Sequence, residues 1–161
     1  MSLTAPVITV VDDADAEVKS WDNGVVQANS ESAILTILVW NNKGGGITVS
    51  DLKEANITSL DIDGKAVSEI VQNKWVQVHL PYYDENPNEW TPIGGTTAKM
   101  LRADGLTDPT DFTIRGNINN GDKEDTDAKQ NYCTIQLKTV VPSGTTAGVR
   151  DFRIRINGYW T

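Results

Sequence analysis

Apolar residues in this chain recur at every second position, and nowhere do they sustain the spacing of a helix face. Val76, Val78 and Leu80 share one side of an extended segment, with Trp75, Gln77 and His79 opposite. Cys133, Ile135 and Leu137 repeat the pattern, and Phe152, Ile154 and Ile156 do so again. Successive side chains of extended backbone point to opposite faces, so each set lines one face of a strand. Residues 33–40 are almost continuously apolar, the mark of a central strand covered on both faces. Pro6 opens a first strand over 6–11, where its missing N–H is tolerated. Residues 57–63 alternate around Leu60 and Ile62, then pass through the tight-turn pair Asp63-Gly64 into a strand over 66–71. Phe112, Ile114 and Gly116 begin another alternating segment. A single helical turn is expected at 49–55, with Ser50 as its cap. Residues 81–95 and 117–127 read as long polar loops. About eight or nine strands punctuated in this way predict a sandwich of two antiparallel sheets.

At 161 residues the chain can bury a core without metal or disulfide staples. Its 22 acidic against 14 basic residues leave a net charge of −8. Nucleic acid and anionic membrane both need a basic footprint, so neither is expected as a partner. Cys133 is the sole cysteine, which excludes an intrachain disulfide. The opening residues carry no positive segment, the apolar stretch 7–11 is too short for a signal peptide, and no run approaches the ~20 residues of a membrane-spanning helix. The expectation is a soluble protein made in the cytoplasm, with no export signal in this chain.

No catalytic constellation emerges. His79 is the only histidine and reads as a surface or satisfied strand residue. Cys133 lies on the face of Ile135 and Leu137 and reads as a small core residue, because a nucleophile needs a base and an electropositive setting. Asp122, Glu124, Asp125 and Asp127 offer oxygen ligands, but their spacing differs from a calcium loop and Lys123 and Lys129 intrude. A solvated loop is the expectation for 122–127, with no metal and no cofactor. Gly44-Gly45-Gly46 lacks the residues that complete a phosphate loop. A hydrolase on such a scaffold would require a pocket holding two acids, one with a raised pKa. A non-enzyme is therefore expected.

Aromatic residues carry more. Tyr82, Tyr83 and Trp90 fall in the long loop with Pro81, Asn86, Pro87 and Asn88, where a β-scaffold presents binding surfaces. They suit stacking on sugar rings or anchoring a protein interface, or else they fold back over one end of the sandwich. Arg153 and Arg155 project opposite Phe152, Ile154 and Ile156. They either pair with nearby carboxylates, guard a sheet edge, or dock an acidic subunit.

Residues 132–148, with Val141-Pro142-Ser143-Gly144-Thr145-Thr146-Ala147-Gly148 following an alternating strand and Phe152-Arg153-Ile154-Arg155-Ile156 after it, resemble the last hairpin of a bacterial or phage immunoglobulin-like module. Pro142 would stop the ladder and Gly144 and Gly148 would supply turn dihedrals. The chain also resembles tail, baseplate and capsid-decorating proteins of tailed phages in being acidic, rich in Thr, Asn and Gly, and poor in Cys and His. The resemblance implies an all-β, immunoglobulin-like antiparallel β-sandwich over 21–161, with long loops and an N-terminal strand or arm over 1–20. It implies a non-catalytic virion component, located in the virion after assembly in host cytoplasm. Its partners would be other virion proteins, in a homo-oligomer or symmetric assembly. The alternative is a carbohydrate-binding or adhesin module that recognises surface glycans through Tyr82, Tyr83 and Trp90.

Overall fold

The computed structural model describes residues 4–83 and 86–161; the expected loop residues Asp84 and Glu85 and the first three residues of the arm lie outside them. Ten strands among the described residues form two antiparallel sheets packed face to face. The larger contains β1 (Ile8–Asp12), β3 (Leu35–Asn41), β9 (Tyr132–Val141), β5 (Val76–His79) and β6 (Thr91–Ile93) in that order, with β2 (Ser30–Glu31) against the end of β9. The smaller runs β10 (Arg153–Tyr159), β4 (Leu52–Leu60) and β7 (Lys99–Met100), with β8 (Thr113–Ile114) also on β4.

The expected all-β sandwich is therefore observed, and its core follows the alternation in the sequence. Ile37, Val39, Val76, Val78, Cys133, Ile135 and Leu137 turn inward from the larger sheet and meet Leu52, Ala55 and Ile57 of β4. Ile154 and Ile156 pack on this core from the edge. Burying so many branched side chains is the main stabilising term, at ~1.5–3 kcal/mol for each that is fully covered. The N-terminal segment contributes β1, which lies in register on β3 from Ile8 opposite Asn41 to Asp12 opposite Ile37.

Three local expectations are corrected. Residues 49–55 do not form a helical turn: Leu52 to Ala55 open β4, because Leu52 and Ala55 face the core and the strand bulges between them at Glu54, whose φ is 48°. The short helix lies instead at Glu69–Gln72, inside the segment expected as a strand, where Ile70 and Val71 are buried. It follows a turn held by Asp61, whose carboxylate accepts from the Val67 and Ser68 N–H groups and the Ser68 hydroxyl. Those bonds, the Ser68 hydroxyl first, keep the Asp61 carboxyl below the ordinary aspartate value.

The third correction concerns the closing strands. β9 pairs with β3 and β5, whereas β10 pairs with β4 in the other sheet. They are not a hairpin, and the Pro142–Gly148 connection carries the chain from one sheet to the other. From β3 to β5 and from β8 to β10 the strands alternate between sheets, so β3-β9-β5-β6 faces β10-β4-β7.

Candidate functional site

The outward side chains of the larger sheet form its second face. Thr36, Leu38 and Trp40 come from β3, Tyr132, Thr134, Gln136 and Lys138 from β9, and Gln77 and His79 from β5. Register sets Thr36 beside Gln136 and Gln136 beside His79, with Leu38 beside Thr134 and Trp40 beside Tyr132. β5 ends at His79, so β9 loses its neighbour beyond Gln136. Asp104 fills that gap. Its N–H donates to the Tyr132 carbonyl at 2.9 Å, while its carboxylate accepts from the Thr134 N–H at 2.8 Å and the Thr134 hydroxyl at 2.6 Å.

A cavity of about 250 Å³ opens above this patch. Thr36, Leu38, Tyr132 and Thr134 form its floor, and Tyr82, Asp104, Lys129, Glu124, Lys123 and Asp13 line it further. Its walls are held in place. The Tyr132 ring lies 4.5 Å from that of Trp40, and its hydroxyl donates to the Lys123 carbonyl at 2.8 Å, pinning the 122–125 turn to the sheet. The Lys123 ammonium donates in turn to the Asp13 carbonyl. Lys43 ties Asp15 at 3.2 Å and lies over Trp40, which fixes the facing turn.

The electrostatics of the cavity are mixed. Burial pushes the Asp104 carboxyl up to about 6, against the Thr134 hydroxyl, the Thr134 N–H and the charge of Lys129, which all favour its ionised form. Burial, then the negative charge of Asp104, holds the Tyr132 phenol above its usual range, so it stays a neutral hydrogen-bonding group. Among the described residues the side chains of Lys129 and Glu124 form no ion pair and remain available to a ligand. The site thus offers neutral donors, ionic donors and carboxylate acceptors around one aromatic wall.

The three loop aromatics do not act together. Tyr82 is 66% exposed and lines the cavity. Tyr83, its neighbour, is half-buried: Phe112 meets its edge at 6.2 Å, Arg102 lies 4.5 Å from the ring centre, and its hydroxyl donates to the Pro109 carbonyl. Trp90 packs back onto the outward face of the larger sheet, with the His79 ring 5.4 Å and the Lys138 ammonium 4.3 Å from its ring centre. His79 is buried beneath it with Nδ1 2.9 Å from the Glu89 carbonyl, as a satisfied strand residue. Arg153 and Arg155 belong to β10, in the other sheet from the one that floors the cavity. Neither pairs with Asp151 or another described carboxylate; Arg150 takes the ion pair instead, with Glu69 at 3.0 Å.

The acidic loop resolves into turns rather than a cage. Asp122 accepts from the Glu124 N–H and Asp125 from the Asp127 N–H, and Asn120 donates to the other Asp125 oxygen. Among the described residues no three acidic, histidine or cysteine side chains converge to hold a metal ion. A second, open groove of about 550 Å³ crosses the smaller sheet, where Arg115 bridges Asp51 at 3.0 Å and Asp111 at 3.1 Å. Its strongest charges are already matched.

Sequence reasoning pointed to Tyr82 but missed Asp104, Lys129 and Thr134. Thr134 and Tyr132 were readable as the outward parity of β9. Asp104 was not, because nothing near residue 104 announces that it completes a sheet begun elsewhere.

No family model matches this chain, and no curated protein sequence is similar to it. Among solved structures, it is similar to a family 123 glycoside hydrolase from Clostridium perfringens, described in a structural analysis of glycolipid glycan hydrolysis. The alignment has a TM-score of 0.46 and 13% identity, and covers 97% of this chain and 25% of that one. This chain therefore spans about a quarter of that enzyme's length, and a likeness so distant carries no argument about activity.

Proposed function

We propose that this protein is a non-catalytic carbohydrate-binding module that seats a single sugar residue in the cavity above β9. The observation that supports this reading is that Tyr82, 66% exposed, lines the same cavity as Asp104 and as Lys129, which has no ion pair among the described residues. Sugars present an apolar ring face and a fringe of hydroxyls, so they bind where one aromatic surface meets alternating donors and acceptors. The cavity lies just under the ~300 Å³ at which typical ligand pockets begin, which suits one ring rather than a chain. Asp104 and Thr134 brace each other, so the acceptor is oriented before the ligand arrives.

The test is a glycan-array screen followed by calorimetry with Tyr82→Ala. Loss of the ring is expected to weaken binding about tenfold, equivalent to ~1.4 kcal/mol. Failure to bind any glycan on the array, or binding unchanged by the substitution, overturns the assignment. The cavity also meets the condition set above for a hydrolase, since it holds Asp13, Asp104 and Glu124 and one of them has a raised pKa. Both Asp104 oxygens are engaged by Thr134, which favours binding over proton transfer. Release of reducing ends from the bound glycan, abolished by Asp104→Asn, would turn the reading to catalysis.

A structural role in a virion is the second reading, supported by the open β-edge described next. Co-purification of the protein with intact particles tests it; its absence from purified particles rejects it.

A further inference from the structure

We infer that two copies of this chain pair through β10, edge to edge and antiparallel, joining their smaller sheets into one. This does not rest on the carbohydrate reading. The outer edge of β1 is covered by its own chain, where Asp12 N–H donates to the Ala16 carbonyl and Val18 N–H to the Val10 carbonyl. β6 spans three residues and carries Pro92, which cannot extend a ladder. β10 has seven residues and, among the described residues, no strand on its outer side. A long open edge is a template for a further strand.

Register identifies the occupant. The Ser59 carbonyl accepts from the Gly95 N–H, and Ala55 exchanges bonds with Leu101 and Phe112, so Ser59, Ile57 and Ala55 turn their backbone groups away from β10. Their partners Ile154 and Ile156 are then in non-hydrogen-bonded pairs with β4 and point their own N–H and C=O groups outward. A two-fold axis at Ile156 sets that residue opposite its copy and Ile154 opposite Gly158 of the second copy, in hydrogen-bonded pairs.

Between them, Arg155 faces Asn157 of the second copy and Arg153 faces Tyr159 of the second copy. Neither arginine has an ion pair with a described residue, and the pairing gives one a carbonyl acceptor and the other an aromatic face. A centre at Arg155 or Ile154 would set arginine against arginine. The partner that fits this edge without like charges opposed is a second copy of the chain, and a two-fold axis closes the assembly.

Two single variants test the register, since Arg155 and Asn157 are exposed and Cys133 is buried and out of reach. The Cα atoms of such a pair stand ~4.5 Å apart, within disulfide range. Oxidising a mixture of Arg155→Cys and Asn157→Cys is expected to give a disulfide-linked dimer, while either variant alone stays unlinked. Sedimentation of the unmodified chain should give the mass of two copies. A single-chain mass, no linkage in the mixture, or equal linkage in either variant alone overturns the proposal.

Discussion

Asp104 shows how one side chain serves both the fold and the site. It stands where β5 would continue, and burial raises its pKa to about 6 from 3.8. The folded state therefore holds that proton more tightly than the unfolded chain. Its contribution favours folding below about 4 and is lost as pH rises through about 6, by roughly 3 kcal/mol in all. Thermal unfolding followed between pH 7 and pH 5 should show the wild type gaining stability as pH falls. Asp104→Asn should flatten that gain, because the amide does not titrate. Binding runs the other way: a protonated carboxyl is a poorer acceptor, so glycan affinity should weaken below pH 6 in the wild type alone. At the same end of the sheet but on the far side of β9, Asn41 is fully buried; it donates to the Ser50 and Ile114 carbonyls and accepts from the Val7 N–H. Asn41→Ala strands all three, and chemical denaturation should register a loss of about 3 kcal/mol. Neither residue was legible in the sequence, where a lone Asp in a loop and an Asn after a strand look like ordinary turn residues.

At the scale of elements, legibility followed burial. β5, β9 and β10 were readable because each alternates against one core, and a slip of one residue would turn every apolar side chain outward; β3 was readable as a nearly continuous apolar run, since it is buried on both faces. The helix at 69–72 and the start of β4 were exchanged because both are short, and a Ser-Asp-Leu-Lys-Glu run has the chemistry of a helical start. Tertiary contact decided the matter: Ala55 has no exposure, and its N–H and C=O are spent on Phe112 and Leu101. The connection between β9 and β10 was misread for a different reason. Pro142 and Gly144 specify a reversal, and a reversal is equally compatible with a hairpin and with a crossing between sheets. Gly116 marks a contact that the sequence also hides. A Cβ there would lie 2.3 Å from the Val49 carbonyl oxygen and 2.7 Å from that of Ser50. Gly116→Ala should therefore push the 114–117 segment off β4 and lower stability by about 2–3 kcal/mol in a urea titration, while Gly24→Ala, with open space around it but φ of 65°, should cost about 1 kcal/mol.

Across the whole molecule, the two sheets divide the work. The larger turns a polar outer face toward the cavity, and its edges are closed by residues 16–18 and by Pro92. The smaller ends in β10, which has no strand on its outer side among the described residues. Both properties arise from the connectivity, which sends the last strand to the far sheet and leaves β9 central, with β5 ending at His79 and Asp104 in the gap. A paired molecule would carry two cavities, so attachment to a surface bearing many glycans would gain from avidity even if each site binds weakly.

The cavity is the central claim, and amide chemical-shift mapping with a panel of monosaccharides tests it most directly. The account predicts that one or more sugars shift the amides of Tyr82, Asp104, Lys129 and Thr134 in a saturable way, leaving β10 unmoved. Shifts confined to the groove around Arg115 and Tyr159, or none with any sugar at millimolar concentration, would contradict it.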